Sequence, residues 1–289
     1  MFSGAITALA TPFRDGSVDY EALDELVNWQ IDSGIDGLLA CGCTGEAATL
    51  TGEEHLGVIK RVIETADGRV PVIAGTGKND TASSVELSAA ASGMGADGVL
   101  LITPYYNKPT PRGQIEHYTK VADAVECPVV LYNVPGRTGT NMLPETVAKL
   151  SQHGSIVAIK DAAGSAERVT AIRGLCDITV LSGDDPIAMA QVALGASGVV
   201  SVISNIAPGE MSDLVSLTAE GSLKEARALQ QRLYPLMKAL FLETNPIPVK
   251  KALSLLGLTT DEMRLPLVSM TEALVPKLEV VMREAEVLK

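Results

Sequence analysis

The sequence is poor in aromatic side chains and contains no long apolar run. Phenylalanine, tryptophan and tyrosine together make up 3% of the 289 residues, whereas hydrophobic residues of all kinds make up 46%. A buried core must therefore consist mainly of aliphatic side chains, as is usual where helices cover a parallel sheet. No apolar stretch approaches the roughly 20 residues that a membrane-spanning helix needs, so we expect no membrane span.

Basic residues and recognisable ligand motifs are scarce as well. The formal net charge is −12, and such an acidic chain repels phosphate backbones, so we expect no nucleic-acid partner. The four cysteines include no C-x-x-C pair and the three histidines do not cluster, so the sequence predicts neither a metal site nor a bound cofactor. No basic segment followed by an apolar one opens the chain, and we therefore expect a cytoplasmic protein.

Short apolar runs alternate with longer amphipathic stretches over the first 220 residues. Eight strand–helix units with short connections favour a closed (β/α)8 barrel, the TIM-barrel fold of the α/β class. An open sheet is less favoured because no glycine-rich dinucleotide fingerprint follows the first run. The runs that we predict to be buried strands cover residues 5–10, 37–41, 70–74, 98–103, 128–132, 155–161, 178–181 and 198–202.

The strand pattern stops near residue 220. Residues 223–241, 247–256 and 270–287 show helical patterns and are separated by proline-containing segments. The sequence therefore predicts a catalytic barrel over residues 1–220 and a C-terminal three-helix appendage over residues 221–289, packed against the barrel.

Lys160 and Tyr132 end two consecutive apolar runs, the sixth and the fifth. A single lysine at a strand end is most often solvated. In a barrel, however, the carboxyl ends of the strands form the mouth where the active site is built. A desolvated lysine amine is a nucleophile towards carbonyl groups, and a neighbouring phenol can move the protons that imine formation requires. The pair predicts a Schiff-base lyase or aldolase acting on a small oxo-acid.

Two other strand ends carry groups that suit a carboxylate. Cys43 and Thr44 lie between glycines in residues 42–46, where main-chain N–H groups can approach an anion closely. Arg137 follows the fifth run in a Pro-Gly-Arg-Thr-Gly segment. Its guanidinium either binds a substrate carboxylate at the mouth or stabilises its own loop.

Two further strand ends allow more than one interpretation. Tyr105 and Tyr106 follow the fourth run, and alternation directs one inward and the other outward. The alternative is that both are interface or packing residues. Asp184 and Asp185 suggest acid–base chemistry, metal binding or a cap on the helix that opens at Pro186. We favour the cap, because acidic side chains are stabilising at helix N-termini.

These motifs resemble those of the pyruvate-dependent Schiff-base class I aldolases and, within that superfamily, of the dihydrodipicolinate synthase family. The resemblance runs nearly end to end. It implies condensation of pyruvate with L-aspartate-4-semialdehyde to 4-hydroxy-tetrahydrodipicolinate, in diaminopimelate and lysine biosynthesis, without a metal or cofactor. The motifs that carry it are residues 42–46, 104–107, 131–139, 159–160 and 182–185.

The resemblance also implies roles for individual residues. Lys160 forms the imine with pyruvate, and Tyr132 donates and accepts protons. Tyr106 reaches across a dimer interface into the neighbouring site, within a homotetramer built as a dimer of dimers. Cys43 departs from the family pattern, which usually has a threonine hydroxyl between the two tyrosines. A thiol is a weaker hydrogen-bond partner than a hydroxyl.

The remaining implied roles concern substrate carboxylates. Thr44, with the main chain around Gly183 and Val200, holds the carboxylate of pyruvate and of the Schiff-base adduct. Arg137 binds the carboxylate of the aldehyde substrate.

Two alternatives remain open from the sequence. Another lyase of the superfamily, acting on N-acetylneuraminate or a 2-keto-3-deoxy sugar acid, uses the same lysine and tyrosine. Arg137 argues against it, because a sugar-binding mouth favours neutral hydroxyl partners. A non-catalytic barrel is the second alternative, and the presence of both Lys160 and Tyr132 argues against that.

Overall fold

The computed structural model describes residues 2–288. Eight parallel strands close into a barrel in which sequential strands are neighbours, and a two-stranded hairpin follows the first strand. This confirms the predicted (β/α)8 barrel. The strands are β1 Gly4–Ala8, β2 Phe13–Arg14, β3 Ser17–Val18, β4 Gly37–Ala40, β5 Val72–Gly75, β6 Gly98–Ile102, β7 Val129–Asn133, β8 Ile156–Asp161, β9 Thr179–Ser182 and β10 Gly198–Ser201.

Helices surround the barrel and continue beyond it. No helix of residues 2–288 is both long and apolar enough to cross a membrane. The α-helices of this part of the chain are α1 Tyr20–Asp32, α2 Gly52–Ala66, α3 Thr81–Gly93, α4 Pro111–Ala122, α5 Pro135–Thr138, α6 Pro144–Leu150, α7 Glu167–Arg173, α8 Ala188–Ala193, α9 Pro208–Ala219, α10 Leu223–Ala239, α11 Ile247–Leu255 and α12 Val275–Glu284.

Polar side chains fix the starts of the helices that cover the first strands. The Asp19 side chain accepts a hydrogen bond from the main-chain N–H of Ala22 and begins α1. Thr51 and Glu54 form a reciprocal capping box at the start of α2. These bonds satisfy N–H groups that have no partner within the helix, and so they define where each helix begins.

Twelve apolar side chains form a separate cluster inside the barrel. Because side chains alternate along a strand, every second residue points into this interior. Across β7 and β8 the register pairs Tyr132 with Lys160, so both lie on the inner side near the carboxyl ends of the strands. The cluster consists of Phe2, Ile6, Ala8, Leu39, Ile73, Leu100, Val130, Tyr132, Val134, Ala158, Leu181 and Val200.

Two elements of the fold were not predicted from the sequence. The hairpin β2–β3 turns at Asp15 and Gly16, which both have positive φ values, of 52° and 79°. An Asp-Gly pair with this geometry is a preferred two-residue hairpin turn, so the signal was present in the sequence. The second element is α5, a single helical turn that carries Arg137.

The predicted C-terminal helices are present as α10, α11 and α12. Helix α10 packs against α9 of the barrel, and α12 packs against α10 and α11. Their buried residues, such as Leu233, Leu253 and Leu278, belong to the same apolar core as the outer face of the barrel. The third helix begins at Val275, later than expected, after a 3-10 turn at Glu272–Leu274. The division of the chain at residue 220 stays a prediction.

Candidate active site

Lys160 lies in the interior of the barrel, near the end of β8. Only 7% of its surface is exposed, and its Nζ lies 4.3 Å from the centre of the Tyr132 ring. Burial lowers the pKa of Lys160 to about 8, against the opposing influence of Cys43, Asp185 and Asp184. Desolvation penalises the ammonium form, so a useful fraction of the amine is neutral near physiological pH. A neutral buried amine is a nucleophile.

Tyr132 provides the proton-carrying group beside this amine. Its side chain is buried at the end of β7, and burial raises the pKa of the phenol. The phenol therefore keeps its proton until a neighbouring group takes it. Its OH lies 3.9 Å from Cys43 Sγ, a long contact in which either atom can be the donor. The structure thus brings the predicted lysine, tyrosine and cysteine together.

A polar network on the outside of the barrel holds these two strand ends. Asn133 and Asp161 directly follow Tyr132 and Lys160, and alternation turns them to the outer face. Asn133 Nδ2 donates to Asp161 Oδ2 at 3.2 Å, and Arg168 Nη2 donates to the same oxygen at 2.8 Å. The network fixes the strand register and, with it, the separation of the lysine and the phenol.

Asn245, which no motif at a strand end marks in the sequence, joins Thr44 and Arg137. Asn245 Nδ2 donates to Thr44 Oγ1 at 3.0 Å, and Arg137 Nη2 donates to the main-chain oxygen of Asn245 at 3.0 Å. Thr44 is buried and Arg137 is exposed. The contacts bring residues from three distant segments of the chain to one side of the mouth.

A cavity of about 350 Å³ opens at this mouth. Its lining includes Cys43, Tyr105, Tyr132, Arg137 and Asn245. The cavity is large enough for a small oxo-acid and an aldehyde together. Its lining carries one guanidinium, one ammonium, one carboxylate, two phenols and two thiols. Such a lining suits an anionic substrate.

Gly183 and Val200 lie close to the base of the site. The N–H of Gly183 donates to the main-chain oxygen of Asp161 at 2.8 Å, so this N–H already has a partner. A Cβ at Gly183 would lie 2.6 Å from the Cβ of Ala162, which explains the glycine. Val200 is 1% exposed and points into the barrel from β10.

Asp184 and Asp185 do not cap the helix that follows them, so the favoured interpretation was wrong. Asp185 Oδ2 accepts from the main-chain N–H groups of Val202 and Ile203, at 2.9 and 3.0 Å. Asp184 Oδ2 accepts from the N–H of Gly164 at 3.0 Å. Each carboxylate thus ties the end of β9 to the end of a neighbouring strand.

The two adjacent tyrosines point in opposite directions. Tyr105 lines the cavity, whereas the Tyr106 side chain is 90% exposed. Tyr106 has a φ of +74°, and the N–H of Asn107 bonds to the oxygen of Tyr105 across it. This is a strained γ-turn, an arrangement that proteins keep mainly at functional positions. Within one chain, Tyr106 is not brought together with Lys160 and Tyr132.

Fold and site together define a Schiff-base-forming lyase of the (β/α)8-barrel class. In residues 2–288 no group of three or more histidine, cysteine, aspartate or glutamate side chains is arranged to hold a metal ion. A sequence model of the Dihydrodipicolinate synthetase family matches residues 1–285. The chain belongs to that family.

Similar proteins share the whole length of the chain. A 4-hydroxy-tetrahydrodipicolinate synthase from Geobacter sulfurreducens is 53% identical and is matched over 100% of both chains. The crystal structure of dihydrodipicolinate synthase from Aquifex aeolicus is 45% identical, with a TM-score of 0.97 over 99% of each chain. The chloride-inhibited enzyme from Acinetobacter baumannii, solved in complex with pyruvate, is 43% identical, with a TM-score of 0.97 over 100% of each chain.

Proposed function

We propose that this protein condenses pyruvate with L-aspartate-4-semialdehyde to give 4-hydroxy-tetrahydrodipicolinate, the reaction that leads to diaminopimelate and lysine. The observation that carries the proposal is the buried Lys160 amine, 4.3 Å from the centre of the Tyr132 ring. Tyr132 in turn lines the same cavity as Arg137. The relatives named as synthases of this product support the substrate pair.

In the first stage, the neutral Lys160 amine attacks the carbonyl carbon of pyruvate. Tyr132 donates the proton that lets the former carbonyl oxygen leave as water, which completes the imine. Loss of a methyl proton then gives an enamine, and Tyr132 is the group placed to exchange such protons. The protonated imine acts as the electron sink for this step, so no metal or cofactor is required.

In the second stage, the enamine carbon attacks the aldehyde carbon of the semialdehyde. The aldehyde oxygen takes a proton and becomes the hydroxyl of the product. The amine of the same substrate then attacks the imine carbon, closes the ring and expels the Lys160 amine. Each bond formed at the imine carbon is balanced by one that breaks, and the enzyme returns to its starting state.

The substrate carboxylates are assigned to different groups. Thr44, with the main chain near Gly183 and Val200, holds the carboxylate of pyruvate, and Arg137 holds the carboxylate of the semialdehyde. The contacts of Asn245 with both Thr44 and Arg137, which place the two groups side by side at the mouth, support the assignment. Arginine suits the second role because its planar fork matches a carboxylate.

Assembly and location complete the proposal. Tyr106 inserts into the site of a neighbouring copy in a homotetramer, built as a dimer of dimers. Its 90% exposure and the strained turn that presents it support a contact outside its own chain. The four cysteines are free thiols, which suits a reducing cytoplasm.

Imine formation should accelerate as the pH rises through about 8 and level off above it. Burial lowers the pKa of Lys160 to that value, and only the neutral amine attacks, so roughly a tenth of it is reactive at pH 7. The measurement is the rate of adduct trapping by cyanoborohydride at fixed pyruvate concentration. A rate that keeps rising tenfold per pH unit up to about pH 10 would contradict a buried lysine.

Cys43→Thr should retain activity, within about tenfold of the natural enzyme. The threonine hydroxyl occupies a similar space and is a better hydrogen-bond partner for the Tyr132 phenol than the thiol. Steady-state turnover measures the effect. Cys43→Val is the matched control, because it keeps the volume without a polar group and should lose activity about tenfold or more. Complete inactivity of Cys43→Thr would give the thiol a role of its own.

Arg137→Ala should raise the KM for the semialdehyde by roughly 10- to 100-fold, the loss expected for one charge-assisted hydrogen-bonded pair. The rate of pyruvate trapping on Lys160 should stay unchanged, since pyruvate is held elsewhere. Arg137→Lys is the control. Its KM for the semialdehyde should lie between those of the natural enzyme and of Arg137→Ala, because lysine keeps the charge but lacks the planar guanidinium fork. If Arg137→Ala slowed pyruvate trapping by the same factor as it raised the KM for the semialdehyde, the assignment of Arg137 to the semialdehyde carboxylate would be contradicted.

The proposal as a whole is tested by a coupled assay with pyruvate and L-aspartate-4-semialdehyde, run beside N-acetylmannosamine and sugar aldehydes. The expected result is turnover of pyruvate with the semialdehyde and with none of the sugar aldehydes. Preferential turnover of a sugar aldehyde would assign the chain to a different reaction on the same lysine.

A further inference from the structure

Asn245 lies between the two groups assigned to substrate carboxylates. The residue belongs to the C-terminal region, just before α11, and is 4% exposed. Its side chain donates to Thr44 Oγ1, whereas its main-chain oxygen accepts from Arg137. A single residue therefore contacts both groups through different atoms, and a side-chain substitution can separate the two contacts.

The side chain of Asn245 is not placed there for stability. Its Oδ1 is buried and has no hydrogen-bond partner among the described residues. An unpaired buried amide oxygen opposes folding, and an apolar side chain of similar shape avoids that cost. A polar group retained under these conditions points to a role in the site.

The Asn245 segment and the Thr44 loop are fixed to each other by a second contact. Lys250 Nζ on α11 donates to Glu46 Oε1 at 2.6 Å, and both side chains are almost completely buried. Glu46 follows Thr44 by two residues and has a φ of +52°, which a side-chain-bearing residue rarely adopts. The ion pair holds the loop in this conformation and keeps Asn245 within reach of Thr44.

The direction of the Asn245 bond sets the direction of the Thr44 proton. A hydroxyl has one proton to donate, and its oxygen can accept. The Asn245 amide N–H donates to the Thr44 oxygen, so the Thr44 hydroxyl does not donate back to this amide. Its proton is therefore free to point into the site towards an anion. We propose that Asn245 is a positioning residue that orients the Thr44 hydroxyl as a donor to the pyruvate carboxylate. The inference rests on the proposed function, which assigns pyruvate to Thr44.

Asn245→Leu and Asn245→Asp test the orientation. Both keep the main-chain oxygen that holds Arg137, so the KM for the semialdehyde should stay unchanged. Asn245→Leu should raise the pyruvate concentration needed for half-maximal adduct by about tenfold. Asn245→Asp should raise it further, because a carboxylate accepts the Thr44 proton and repels pyruvate. A general packing defect would shift both substrates and would follow the melting temperature, which is measured for each variant.

A double-mutant cycle with Thr44→Val separates the outcomes. In the Thr44→Val background, Asn245→Leu should have no further effect on pyruvate, since the hydroxyl that it orients is gone. The same effect in both backgrounds would overturn the inference, and so would pyruvate binding unchanged in both Asn245 variants. Failure of the unaltered enzyme to form any pyruvate adduct would instead refute the proposed function.

Discussion

Turnover of pyruvate and L-aspartate-4-semialdehyde should fall by at least about 10⁴-fold when Lys160 is replaced by methionine. The substitution keeps the length and apolar stem of the side chain but removes the nucleophile, so no covalent intermediate can form. The side chain is already buried, and an apolar replacement does not burden the fold. The measurement is the coupled assay, with the melting temperature as the check on folding.

Lys78→Met is the matched control for this substitution. Lys78 lines the cavity, and burial lowers its pKa as it does that of Lys160. Lys78 has no role in the proposed reaction and no phenol to exchange protons with it. Lys78→Met should therefore retain turnover. If Lys160→Met were active and Lys78→Met inactive, the nucleophile would be the wrong lysine.

Tyr132→Phe should lower kcat by roughly 10²- to 10⁴-fold, the usual range for loss of a general acid–base group. The ring that packs against Lys160 remains, so the pyruvate adduct should still form, but slowly. Rapid-quench trapping separates this slow step from the loss of turnover. An unchanged kcat would assign proton transfer to another group.

Tyr118→Phe provides the comparison for loss of a buried phenol. Tyr118 is fully buried on α4 and does not line the cavity. Its replacement should leave kcat close to that of the natural enzyme. A loss equal to that of Tyr132→Phe would indicate that any buried hydroxyl in this barrel affects activity through packing.

The barrel and its two central residues could be predicted because local sequence determines them. The apolar runs located all eight barrel strands, with ends displaced by two residues at most. Tyr132 and Lys160 end consecutive runs, so the sequence places them side by side at the barrel mouth, where the register pairs them. Continuous apolar runs and period-two alternation are properties of neighbouring residues, so they can be read without the tertiary structure.

The rest of the site depends on contacts between distant segments. Asn245 meets Thr44 across 201 residues of sequence, and nothing in the Asn-Pro pair around residue 245 indicates that partner. Asp185 was interpreted from its nearest helix, whereas its partners lie at the end of another strand. Local capping rules consider only main-chain N–H groups that are close in sequence. The closed barrel also places N–H groups of distant residues beside the carboxylate.

Reductive trapping followed by peptide mapping tests the central claim most directly. The protein is incubated with pyruvate, reduced with borohydride, digested and analysed by mass spectrometry. We predict one reduced pyruvate per chain, attached to Lys160, and no adduct in Lys160→Met. An unmodified chain, or an adduct on any other lysine, would contradict the assignment of Lys160 as the Schiff-base residue.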